Sequence, residues 1–150
     1  MSKLKRLPYY FLFALLFILL ALQLWTYWLG KPVPTFERYL IKPVPHSIGD
    51  LKVRRYKAMH SPHLFTMTVD KAHESPLVAK LVAVCRMQKV SARALPPFLK
   101  KVDAEMVEVI KKSPLIYMSK TYDLDDVKKG RFCLLFKDST NLYVYLNGDL

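Results

Sequence analysis

The chain has 150 residues, with 24 Lys and Arg against 12 Asp and Glu, a formal net charge of +12. Its four glycines, Gly30, Gly49, Gly130 and Gly148, lie too far apart for a glycine-rich phosphate loop. No G-x-S-x-G, C-x-x-C or H-E-x-x-H occurs, which leaves hydrolase, dithiol-redox and zinc-protease chemistry without a motif.

Residues 1–6 form a basic tail carrying Lys3, Lys5 and Arg6; the remaining nine net positive charges follow Gly30. Leu7 to Gly30 contains no charged residue. As a helix, these roughly 24 residues span about 36 Å, enough for a bilayer core of about 30 Å. Tyr9 and Tyr10 near one end, and Trp25, Tyr27 and Trp28 near the other, are placed as an interfacial aromatic belt. The residues after Leu22 are bulky where a signal peptidase needs small ones, so 7–30 reads as an uncleaved signal-anchor. Cation density beside the span favours a cytoplasmic N-terminus and an extracytoplasmic C-terminal domain. The basic character of that domain argues for the inverted topology.

Residues 31–49 contain Pro32, Pro34, Pro43 and Pro45 and read as an extended linker. Thr35 to Ile41 is a candidate helical turn whose Phe36, Tyr39 and Leu40 face either the membrane interface or the domain. Residues 50–150 then form one small domain. Within it, 51–58 and 63–69 read as a hairpin, the second strand placing Phe65, Met67 and Val69 on one face. Ser75-Pro76 opens a helix to about Met87, with Leu77, Leu81 and Val84 on its apolar side. A second helix follows Pro96-Pro97 and runs to Lys112, with Val102, Met106, Val109 and Ile110 as its stripe. Residues 88–96 read as irregular, and 115–119 as a short strand before a polar loop. RFCLLFK (131–137) and LYVYLN (142–147) form a terminal hairpin across DSTN. Phe132, Leu134 and Phe136 face one way and Cys133 and Leu135 the other, so that strand is central or covered on both sides. The fold class is α+β: an N-terminal transmembrane helix, then an antiparallel sheet of about four strands in two hairpins, with two helices on one face.

The runs SIGDLKVRRYKAMHSPHLFTMTVD and CLLFKDSTNLYVYLN resemble small bacterial envelope proteins of unknown function that pair a membrane anchor or lipoprotein signal with a compact domain ending in a β-hairpin. The resemblance spans roughly residues 47–147 and carries no catalytic residues. It implies an envelope location and no defined chemistry.

His60 and His63 are spaced H-x-x-H, with His46 and His73 nearby in sequence. Ser61-Pro62 between them disfavours a helix, so surface histidines near a turn are the main reading, and a metal-dependent enzyme centred there is the alternative. Cys85 and Cys133 are a candidate disulfide in an oxidising compartment, against two buried thiols. Arg54, Arg55 and Lys57, and Lys128, Lys129 and Arg131, are candidate contacts to an anionic surface. The expected partners are the bilayer itself, anionic headgroups or a membrane complex of the envelope. A membrane-tethered nucleic-acid binder is the alternative for the inverted topology. No cofactor or catalytic residue is expected. The reading is a single-pass membrane-anchored binding or accessory module.

Overall fold

The computed structural model describes residues 7–29, 31–56, 62–97, 99, 103–119 and 132–147. Helix α1 (Leu7–Leu29) is followed by α2 (Pro32–Tyr39). Strands β1 (Ile48–Arg55) and β2 (His63–Val69) come next, then α3 (Lys71–Val84), β3 (Met87–Lys89) and a 3-10 turn at Ala92–Ala94. Helix α4 (Ala104–Lys112), β4 (Ile116–Ser119), β5 (Phe132–Lys137) and β6 (Asn141–Asn147) complete the described chain.

The six strands form one antiparallel sheet in the order β1-β2-β6-β5-β4-β3. Both expected hairpins are present, β1–β2 and β5–β6, and the short strand at 116–119 is β4. The sheet is larger than the four strands expected. Its added edge, β3, is the three-residue segment MQK, buried only at Met87 and held by pairing to β4.

Helices cover both faces of the sheet, not one. Successive strand residues point to opposite sides, so β5 sends Cys133 and Leu135 to one core and Phe132, Leu134 and Phe136 to the other. Leu77, Val78 and Leu81 of α3 and Phe36 of α2 fill the first core; Met106, Val107 and Ile110 of α4 fill the second. Val84, expected in the core, is instead 40% exposed. Gly49 enters β1 just before an irregularity in its pairing with β2, and Asp50 adopts a positive φ of 41° there. A Cβ on Gly49 would meet Thr68 Oγ1 at 2.8 Å.

Three boundaries depart from expectation. Eight residues of the stretch read as a linker form α2, which starts ahead of the helical turn expected at Thr35, because Pro32 and Pro34 sit in its first turn, where amides have no intrahelical acceptor. Helix α3 begins at Lys71, ahead of Ser75, and carries Pro76 inside it. Helix α4 begins after Asp103, whose carboxylate accepts the Met106 amide at 3.1 Å and caps it.

Candidate functional site

Helix α1 has 23 residues, none charged, and every side chain described in it, Tyr10 to Trp25 and Tyr27, is exposed. Phe11, Phe13 and Phe17 are 74%, 72% and 73% exposed. A soluble protein surface seldom shows a contiguous apolar patch of that size. Among the described residues no helix is long and apolar enough to cross a membrane. The segment expected at 7–30 as a membrane span is a helix over Leu7–Leu29, and no crossing helix is found among the described residues. Of the aromatic belt, Tyr10, Trp25 and Tyr27 are exposed on α1, while the Tyr9 and Trp28 side chains lie outside the described residues. The Lys31 ammonium lies 5.5 Å from the centre of the Tyr27 ring, a cation–π contact where α1 gives way to α2.

Of the six basic residues expected to contact an anionic surface, Arg54 and Arg55 lie among the described residues. Arg54 and Arg55 are adjacent on β1 and therefore point to opposite sides of the sheet. The Arg54 guanidinium donates to the Asp103 carboxylate, which also accepts the Tyr56 hydroxyl at 2.7 Å. Arg54 lies over the Tyr56 ring at 5.1 Å as well. Lys57, Lys128, Lys129 and Arg131 lie outside the described residues, as does His60.

Asp103 was legible only as a residue inside an expected helix, yet it joins β1, α4 and Tyr56 across 47 and 49 residues of sequence. Burial opposes its charge. The hydrogen bonds from Tyr56 and Met106 and the nearby guanidinium outweigh that and hold its carboxyl below the ordinary range. Burial, reinforced by the bond to Asp103, pushes the Tyr56 phenol well above its ordinary value. A cleft of about 250 Å³ opens beside this group, lined by Arg54, Thr66, Glu105 and Tyr143 over an apolar floor that includes Leu64 and Phe136.

A second polar group closes the β5–β6 turn. Asp138 accepts the backbone amides of Thr140 and Asn141, each at 2.7 Å, and the Tyr143 hydroxyl at 2.6 Å. Burial works against the Asp138 charge, but these bonds win and lower its carboxyl to about 2. Burial and the same contact raise Tyr143 to about 12. Tyr143 also stacks on Phe136 with ring centres 4.9 Å apart.

His63 is buried between the rings of Tyr39 and Phe65, at 5.0 and 6.1 Å. His46 and His73 lie elsewhere, lining an open groove of about 760 Å³ with Asp70 and Thr68. Among the described residues, no three His, Cys, Asp or Glu side chains are arranged to hold a metal ion. Cys85 and Cys133 are thiols, both buried in the core on the α3 side of the sheet. Compared with known protein families, curated proteins and solved structures, the chain matches no family model, no curated protein and no solved structure.

Proposed function

We propose that this chain is a single-pass membrane-anchored binding or accessory module of a bacterial envelope. Helix α1 is the anchor, and the α+β domain is displayed on the extracytoplasmic side. The observation that carries the reading is the exposure of the described side chains of α1, from Tyr10 to Trp25 and at Tyr27. The helix carries no charged residue, and its 23 residues rise about 34 Å along the axis.

A binding role is favoured over catalysis by the state of the two best-formed polar groups. The carboxylates of Asp103 and Asp138 are occupied by folding contacts: a helix cap, an ion pair, a turn and two tyrosine hydroxyls. Acceptors already committed in this way hold structure rather than wait for a proton. The alternative centred on His60 and His63 gains nothing from His63, which is packed between two aromatic rings.

Two measurements on the full chain test the proposal. After expression, the protein should stay in the membrane pellet through alkaline extraction, and Leu16→Asp with Leu19→Asp should release it. Membrane-impermeant protease applied to intact cells should cut the C-terminal domain. Protection in intact cells, with cleavage only after permeabilisation, would place the domain in the cytoplasm. Steeply salt-dependent DNA binding would then be the next property to seek.

A further inference from the structure

We propose that α2 and the turn behind it form a second, interfacial contact with the membrane, in which Lys31, Arg38 and Lys42 engage anionic lipid headgroups where α1 leaves the bilayer. This rests on α1 being the anchor.

Four observations lead there. Only residues 30 and 31 separate α1 from α2, so the first turn of α2 lies no more than about 11 Å of extended chain from the end of the anchor. Helix α2 does not pivot independently of the sheet. Phe36 is fully buried and packs edge-on against Phe65 at 5.6 Å, and Thr35 is 2% exposed. Tyr39 lies against His63. The side of α2 away from the core is cationic: Lys31, Arg38 and Lys42 are exposed, and Lys31 and Arg38 are two helical turns apart and share a side. Glu37, the lone acid from residue 31 to 42, is drawn aside by accepting the Val44 amide at 3.2 Å. Val33, 48% exposed, adds an apolar contact of the kind amphipathic interfacial helices use.

A partner protein would need to be recruited to this surface; the bilayer is already there, held by a two-residue connection. Cations beside an anionic leaflet favour contact by about fivefold each. Three of them make the docked domain dominant over a free one by about a hundredfold at physiological salt. Docking turns the α2 side of the sheet toward the lipid. The α4 side, with the cleft beside Arg54 and Asp103, then faces the aqueous phase.

The test uses the full chain in nanodiscs of zwitterionic lipid alone or with anionic phosphatidylglycerol. Trp25 and Trp28 are the two tryptophans of the chain. Quenching of their fluorescence by lipids brominated on the acyl chains reports insertion of α1. Val33→Trp, in a background of Trp25→Phe and Trp28→Phe, reports α2 through lipids brominated close to the headgroup. The expected result is strong quenching of Val33→Trp in anionic discs, several-fold weaker quenching in zwitterionic ones, and loss on Lys31→Glu, Arg38→Glu and Lys42→Glu together.

Unquenched native tryptophans would remove the anchor and this proposal together. Quenched native tryptophans with an unquenched Val33→Trp would overturn the proposal and leave the anchor standing. Equal quenching in both lipids would overturn the assignment to anionic headgroups. Should the Trp variant misfold, amide exchange on the unmodified chain decides the matter. Residues 31–42 exchange more slowly in anionic than in zwitterionic discs if the surface docks, and equally if it does not.

Discussion

Helix α1 and strand β5 are both uninterrupted apolar runs, and the protein treats them in opposite ways. FCLLFK is six residues long and almost wholly buried, each face covered by helices of the same chain. Leu7–Leu29 is 23 residues long, and its described side chains, Tyr10 to Trp25 and Tyr27, are exposed. Hydrophobicity alone does not separate these outcomes. Length differs between them: six residues rise about 20 Å as a strand and fit within a small sheet, whereas 23 residues rise about 34 Å as a helix. Helices of the same chain cover β5, and none of the described side chains of α1 is buried.

The comparison can be broken most directly by placing the same charge in both runs. Leu134→Asp puts a carboxylate at a fully buried position on the α4 side of the sheet and should abolish cooperative unfolding of the domain in urea, because an unpaired buried charge costs more than a small domain's whole stability. Leu16→Asp, in a side chain 63% exposed on α1, should leave the domain's unfolding free energy in urea within about 0.5 kcal/mol of the parent. Its effect should be on membrane retention. An equal loss of domain stability from both would mean that α1 packs on the domain after all.

Smaller effects sharpen the same contrast between contacts within the domain and contacts beyond it. Phe65→Ala removes a fully buried ring and its edge-on contact with Phe36, and should cost about 3–5 kcal/mol by chemical denaturation. It should also loosen α2 from the sheet. Asp103→Ala removes a helix cap and the acceptor for Tyr56 and Arg54, and should cost about 2–4 kcal/mol. Arg54→Ala should cost about 1 kcal/mol or less, because that guanidinium is more than half exposed.

Asp138 gives the domain an acid limit. Its carboxyl is lowered to about 2 from an ordinary 3.8, so its stabilisation is complete above the unfolded value and disappears as pH falls through about 2. Asp103 is lowered as well and acts in the same direction. The urea midpoint should therefore fall between about pH 4 and pH 2, and Asp138→Asn should flatten that fall. At the alkaline end Tyr143, raised to about 12, works in reverse: its contribution is complete below its unfolded value of 10 and is lost as pH rises through about 12. Absorbance titration of the folded chain should show this phenol and that of Tyr56 ionising last. Lys52→Ala, which removes an exposed pair with Asp50, should change stability by about 0.5 kcal/mol at most.

The parts of the fold legible in the sequence are those in which neighbours in sequence are also neighbours in space. The β5–β6 hairpin is announced by DSTN between two β-rich runs, and Asp138 closes that turn through bonds to residues two and three positions on. The alternation in β2 likewise assigns Phe65 and Met67 to one core and Leu64 to the other. Illegible features depend on distant partners. MQK becomes a strand because β4, some 30 residues later, pairs with it. The two proline pairs suggested extended chain, but Phe36 and Ile41 find their core among strands, and the burial they gain outweighs the local signal. Asp103 looked like one acid among several; its pairing with Arg54 and Tyr56 crosses almost fifty residues. The split of Arg54 from Arg55 was available from strand alternation alone, and reading the pair as one patch overlooked it.

The order of the strands bears on how this protein is made. β6, the last strand in sequence, lies in the middle of the sheet, between β2 and β5. During synthesis, β1–β2 on one side and β3–β4–β5 on the other must wait as separate pieces, each with a hydrogen-bonding edge open to the wrong partner. Only the arrival of β6 joins them, and that closure spans nearly the whole domain, a topology that folds slowly. Among the described strands β6 is made last, so the two halves of the sheet pair across it only once the rest of the sheet has been synthesised.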